Sequence, residues 1–241
     1  MLKILRIIIV VILAIGICLI GTVYSLCRFK HPNNVCFIVK MFGWLHHFVG
    51  IKVILRPKKD FTQHAIYIAN HQNNYDMVTI SAMLQPNTVS VGKSSLIWIP
   101  FFGLMYWSSG NILIQRENHN SAIKTMSKVA KVIKENNISI WMFPEGTRSR
   151  GRGLLPFKRG AFHTAIAAGV PIVPVVCSNT HNKIDLNRWD NGYVICETLE
   201  PIDTAGYSRE NIKELIQLCY DRMDAKIKVL NQEVAELEAK A

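Results

Sequence analysis

Residues 7 to 27, IIIVVILAIGICLIGTVYSLC, run for 21 positions without a charged side chain. No other feature of the 241-residue chain constrains its folding as much. In an apolar setting such a run must pair its peptide groups within itself, as a helix. At about 1.5 Å per residue that helix reaches roughly 30 Å, the thickness of a bilayer core. Lys3 and Arg6 precede it; Arg28 and Lys30 follow. A secretory signal peptide is the competing reading. The run is long for one, no small-x-small cleavage site ends it, and basic residues follow at once. The C-terminal flank carries Arg28, Lys30, Lys40, Lys52, Arg56, Lys58 and Lys59, against Lys3, Arg6 and the amino terminus on the other side. The positive-inside rule then puts the body of the protein in the cytoplasm.

A second apolar stretch, Val35 to Leu55, is interrupted by Lys40, His46 and His47. It reads as an amphipathic or interfacial helix more than as a second span; a shallow two-helix hairpin in one leaflet is a further alternative. A polar hinge, LRPKKDFTQ at 55 to 63, follows. The expected division is a membrane-anchoring helical segment over 1–59 and an α/β domain over 60–241.

Within that domain, strand-like runs alternate with helical ones. The strand candidates are Ala65 to Ala69, Thr88 to Val91, Asn111 to Ile114, Ile138 to Phe143, Ile172 to Cys177 and Tyr193 to Thr198. Between the third and fourth, Ile123, Met126, Val129, Ala130 and Ile133 recur at helical spacing, with Lys124, Lys128 and Lys131 on a solvated face. A last helix is expected over Ser208 to Leu237, its stripe of Ile216, Cys219, Met223, Ile227, Leu230 and Val234 packed on the body rather than paired as a coiled coil. This alternation predicts an α/β fold: a mixed, largely parallel sheet flanked by helices, behind an N-terminal membrane helix or two-helix membrane motif.

The formal charge of +11 predicts an anionic partner: nucleic acid, a phosphorylated small molecule or an acidic membrane. Nucleic acid is disfavoured, because the cations gather near one turn and no basic patch is interleaved with aromatics. The six cysteines form no C-x-x-C pair, so neither a zinc site nor a disulfide framework is suggested.

Two stretches carry chemistry. In AIYIANHQNNYD, His71 and Asp76 follow the first strand candidate. Five positions on an ideal helix would hold them about 140° apart. They meet if His71 lies in the turn after the strand and Asp76 in the first helical turn, with Asn70, Asn73 and Asn74 supplying turn and cap chemistry. A carboxylate there fixes the imidazole's tautomer and raises its basicity. No serine or cysteine stands out as a nucleophile, so the proton taken belongs to a substrate. A turn histidine bonded to a neighbouring carboxylate is the plainer alternative. The second stretch, FPEGTRSRGRGLLPFKRG at 143 to 160, combines Glu145 with Arg148, Arg150, Arg152, Lys158 and Arg159 among glycines. It suits a phosphate, since guanidinium groups fork onto phosphate oxygens; it is not a Walker loop. Weaker signals are Lys93 and Arg116 at strand ends, and Pro171 and Pro174, which suit a strand end or an edge.

N-H-x-x-x-x-D at 70–76, G-x-I-L-I-x-R at 110–116, F-P-E-G-T-R at 143–148 and V-P-I-V-P-V at 170–175 stand in the order and spacing of the four blocks of the glycerolipid acyltransferase family, which the chain resembles from about residue 60 to 200. The resemblance implies a bacterial enzyme of the inner membrane, its catalytic domain facing the cytoplasm. It would acylate the sn-2 hydroxyl of lysophosphatidic acid from acyl-CoA or acyl carrier protein, giving phosphatidic acid for phospholipid biosynthesis. By the resemblance, His71 is the general base and Asp76 its orienter. Arg116, Glu145, Gly146, Thr147 and Arg148 hold the glycerol-phosphate part of the acceptor, and Lys93 is a further contact. Pro174 shapes the fold near the site. No metal and no organic cofactor are implied. Gln115 stands where near relatives often carry an acid. Oxyanion donors are expected among main-chain N–H groups near the third block. The alternatives are glycerol-3-phosphate or another lysophospholipid as acceptor, or a membrane-bound lipid-binding protein without catalysis.

Overall fold

The structure is a computed structural model. It describes residues 1–58, 64–115 and 119–240, with the backbone only over 119–125. The apolar run forms helix α1, Leu2–Cys27, the one helix among the described residues long and apolar enough to cross a membrane. Two shorter helices follow, α2 (Asn33–Trp44) and α3 (His46–Val49). Gly50 then ends the helical stretch in the left-handed region at φ +76°, where a Cβ would meet the Trp189 carbonyl. Strand β1, Lys52–Arg56, begins two residues later. The expectation of one helix over Val35 to Leu55 is therefore corrected: its last part is a strand, and the sheet begins before residue 60.

The remaining elements are β2 (Ile66–Ala69), β3 (Thr88–Lys93), α4 (Phe102–Ser108), β4 (Ile112–Ile114), α5 (His119–Asn136), β5 (Ser139–Met142), α6 (Gly160–Ala168), β6 (Ile172–Cys177), β7 (Tyr193–Thr198) and α7 (Ile212–Ala239). The strands form one seven-stranded sheet in the order β1-β7-β6-β2-β5-β3-β4. All its neighbours are parallel except β6 and β7. The sheet is mixed and largely parallel, as the alternation of runs predicts. Central β2 and β6 are buried along their whole length, as strands covered on both faces must be. Edge strand β1 instead carries Lys52 and Arg56, which blunt an exposed edge. Arg56 reaches Glu197 at 3.5 Å and pairs with Glu233 of α7.

Pro174 corrects a second expectation, since β6 is an interior strand. Its carbonyl accepts from Leu199 N at 2.8 Å, so its missing N–H faces the same side. There the β6–β7 pairing is interrupted, between the Ile172–Ile202 bridge and Val175. The proline takes the one register position in which no donor is required.

Helices α5, α6 and α7 pack together and onto the sheet; α7 buries Leu215, Cys219, Met223, Leu230 and Val234 against the body. Helices α1, α2 and α4 share a second, smaller apolar cluster, which includes Ile17, Ile38, Phe42, Leu45 and Met105. Val78, just after Asp76, belongs to it too. The apolar helix is thus packed, through α2 and α4, against the turn that carries the candidate base.

Helix α1 is also held near both ends. Buried Arg6 donates to the carbonyls of Arg188 and Trp189, the latter at 3.0 Å, and stacks 5.3 Å from the Trp189 ring. At the other end Ser25 is buried and Lys30 N donates to Ser108 O at 3.0 Å. Arg6 and Ser25 lie about 28 Å apart along the helix at the usual rise.

Candidate active site

Ligands of α/β sheets bind outside the carboxyl ends of the strands. Here β2 and β5 are parallel neighbours, so the chain after Ala69 and the chain after Met142 leave the same edge side by side. After β2, Asn70 keeps sheet-like pairing through its side chain: its Nδ2 donates to Cys177 O at 3.0 Å and its Oδ1 accepts from Cys177 N at 2.8 Å. His71 follows in the turn. Asn73 caps the next helical turn by accepting from Tyr75 N at 2.9 Å, and Asp76 reaches back to Asn73 N at 3.2 Å. This reciprocal cap is a capping box on a short 3-10 turn, Asn74–Met77. It folds Asp76 towards the strand end, and His71 Nδ1 lies 2.6 Å from Asp76 Oδ2. The same oxygen accepts from Gln72 N at 2.7 Å. The turn-and-cap geometry expected from the sequence is the one observed.

An ionised carboxylate only accepts, so Nδ1 carries the proton and donates. That leaves Nε2 with its lone pair, and the side chain is 20% exposed. The Phe143 ring stacks on the imidazole with centroids 4.1 Å apart. The ring is therefore fixed at its edge by Asp76 and on its face by Phe143.

The third block is tied to this turn through its backbone. Ser149 N donates to His71 O at 2.8 Å, and Arg150 N to Gln72 O at 3.0 Å. Glu145 is 97% removed from solvent (3% exposed) and spends both oxygens on main-chain donors: Oε1 accepts from His71 N at 2.6 Å, and Oε2 from Leu155 N at 3.0 Å. Burial pushes its carboxyl up to about 7, although those two N–H groups and Arg152 pull the other way. The carboxylate acceptors of Glu145 are thus turned into the protein. Gly146, at φ +68°, turns the chain outward, and Thr147 and Arg148 are exposed at the tip. Lys93 is exposed at the carboxyl end of β3, on the same edge of the sheet. Arg116 lies outside the described residues.

Gln72, Phe143 and Ser149 were not singled out in the sequence. Gln72 Nε2 donates to Ser178 O at 2.8 Å, and its Oε1 accepts from Thr180 N at 2.9 Å, which pins the turn to the loop after β6. No local pattern announces such ties, because their partners lie more than 70 positions away in the chain. Among the described residues no Ser or Cys side chain hydrogen-bonds the imidazole, and no group of three metal-ligating side chains gathers.

What this arrangement can do is draw a proton from a hydroxyl brought to it, next to a cationic turn suited to an anionic substrate. Such a site at the carboxyl edge of an α/β sheet suits transfer of a group to that hydroxyl. The acyltransferase family model matches residues 47–178, more than half of the chain, and the chain belongs to that family. A 1-acyl-sn-glycerol-3-phosphate acyltransferase of Haemophilus influenzae is 61% identical over 238 residues, covering 98% of this chain and 99% of its own length. The Escherichia coli K12 protein so named is 55% identical over 241 residues, 99% of this chain and 98% of its own. A human relative, 1-acyl-sn-glycerol-3-phosphate acyltransferase alpha, is 32% identical over 85% of this chain and 71% of its own. The crystal structure of a 1-acyl-sn-glycerophosphate acyltransferase from Thermotoga maritima shares the fold, with a TM-score of 0.62 at 24% identity over 97% of this chain and 98% of that one.

Proposed function

We propose that the protein is a 1-acyl-sn-glycerol-3-phosphate acyltransferase, passing an acyl chain from acyl-CoA or acyl carrier protein to the sn-2 hydroxyl of lysophosphatidic acid. The carrying observation is the 2.6 Å contact between His71 Nδ1 and Asp76 Oδ2 at the carboxyl edge of the sheet. The name of these relatives, matched over nearly their whole length, supports lysophosphatidic acid as the acceptor.

His71 Nε2 takes the proton of the acceptor hydroxyl while its oxygen bonds to the thioester carbonyl carbon. The imidazolium is stabilised by Asp76. The tetrahedral intermediate collapses, the C–S bond breaks, and the thiolate takes the proton back from the imidazolium. No acyl-enzyme is required, because no activated nucleophile adjoins the base. The main-chain N–H groups of the exposed residues Thr147 and Arg148 are the candidates to meet the oxyanion. Arg148, with Lys93 and Arg116, receives the acceptor's phosphate, and Gly146 and Thr147 shape the turn that presents it. Glu145 acts at one remove: it clamps the base's turn to the cationic loop.

The acceptor and the product are lipids, and α1 fits a membrane-bound enzyme. The docking of α1 on the body near both of its ends favours a helix lying in a single leaflet. The excess of basic residues after α1 favours a body on the cytoplasmic face of the inner membrane.

His71→Ala tests the reading. Turnover should fall by about 10²–10⁴-fold while lysophosphatidic acid still binds. Full turnover in a correctly folded variant would remove His71 from the mechanism.

A further inference from the structure

The segment Ser94–Trp107 leaves the carboxyl end of β3 and turns into α4, at the edge where His71 stands. Five of its large apolar side chains point outward: Trp98 is 84% exposed, and Ile99, Phe101, Leu104 and Trp107 are exposed as well. Burial of those groups within the protein would be the ordinary outcome of folding. The backbone is instead held in a form that keeps them out. Phe101 sits at φ +62°, a conformation unfavourable for an aromatic residue. Gly103 lies so close under the preceding turn that a Cβ would come 2.0 Å from the Ile97 carbonyl oxygen. The inward side of the same helix, Met105, belongs to the cluster shared with α1 and α2. A defined outward face therefore exists, rather than a loose loop.

This face continues that of α1. Leu19, Ile20, Val23 and Leu26 are exposed on α1, which packs against α4. Phe29, just past α1, meets Trp107 edge-on with centroids 5.3 Å apart. Lys30 Nζ lies 5.1 Å over the Trp107 ring and 5.2 Å over Phe29. Tryptophan beside lysine at the border of an apolar surface is the composition of a bilayer interface, not of a protein–protein core, from which lysine is depleted.

We propose that Trp98–Trp107 is a second bilayer contact, contiguous with the exposed face of α1, which inserts at headgroup depth and sets the mouth of the His71 site against the lipid surface. The occupant is phospholipid. The proposal stands whichever acceptor the enzyme uses, because its test reads no activity.

The test uses the full chain in phosphatidylcholine–phosphatidylglycerol vesicles. The chain has five tryptophans, so the Trp98 signal is taken as the emission of the wild type minus that of Trp98→Phe, with matching thermal melts as the control for folding. Lipid brominated near the headgroup should quench more than half of that difference signal, and aqueous iodide should quench little of it. Leu104→Trp in the Trp98→Phe background repeats the reading at a second position and should give the same result. Iodide quenching without bromolipid quenching at both positions would place the face in water and overturn the proposal. Shielding that grows with the protein-to-lipid ratio, without bromolipid quenching, would assign the face to a second copy of the chain and overturn it too.

Discussion

The turn at 70–76 and the segment at 94–107 leave the same edge of one sheet, and they are opposite in every physical respect. The first buries charge. Asp76 and Glu145 lie out of solvent: Asp76 Oδ2 takes up the imidazole N–H and the main-chain N–H groups of Gln72 and Asn73, and the two Glu145 oxygens take those of His71 and Leu155. The second exposes oil, holding tryptophan and phenylalanine outward on a strained, glycine-dependent turn. Buried polar ties fix an angle and a protonation state, which a base needs. Exposed apolar surface fixes nothing internally but can fix where the molecule sits. On the proposed reading, one edge divides the work between positioning atoms and positioning the protein.

Asp76→Asn should separate the two regions most sharply. It replaces the negative carboxylate beside Nδ1 with a neutral amide, which no longer stabilises the imidazolium, and should lower kcat by about 10⁴-fold, with vesicle binding intact. Equal losses in both assays would mean that the regions are not separable. Arg148→Ala should come next, raising KM for the lysolipid about tenfold or more with little change for the thioester. A change confined to the thioester would assign Arg148 to the donor. Gly103→Ala attacks the other region: the Ile97 carbonyl must move, at about 1–3 kcal/mol, or roughly 2–12 °C in the melting temperature. An unshifted melt would show that the turn is not as tight as described.

The smallest effect concerns pH and sharpens the polar side. Burial raises the Glu145 carboxyl from 4.5 to about 7, so the folded state binds its proton more tightly than the unfolded chain does. That contribution to stability is complete below about 4.5 and is lost as pH rises through about 7. Wild-type melting temperature should therefore decline between pH 5 and pH 8 relative to Glu145→Gln, in which this titration is absent. Parallel curves for the two proteins would place Glu145 in a more polar setting than its burial implies.

The two regions also differ in how far the sequence disclosed them. Asn73 and Asp76 stand at capping-box spacing after an apolar run, so the meeting of Asp76 with His71 could be foreseen from local chemistry alone. The strands of the sheet core were legible for the same reason, as short apolar runs between turns. β1 was not, because its five residues are half exposed and follow directly on an apolar helical stretch. Gly50 held the signal, as the left-handed end of a helix, but only its backbone angle makes that plain. Trp98 and Phe101 read as apolar residues like any others, and their exposure depends on the Phe101 angle and the Gly103–Ile97 approach, which sequence does not encode locally. Glu145 belongs to a recognisable block, but nothing in that block says that its oxygens turn inward to His71 and Leu155.

The proposed mechanism is direct transfer to a lysolipid hydroxyl by the His71–Asp76 pair. Its most direct test is thiol release from acyl-CoA by the purified full chain, with no acceptor, with glycerol-3-phosphate and with lysophosphatidic acid. Release only with lysophosphatidic acid, without an initial burst in its absence, is the expected result. A stoichiometric burst without acceptor would mean an acyl-enzyme, and steady release with glycerol-3-phosphate alone would mean a different acceptor; either would contradict the account.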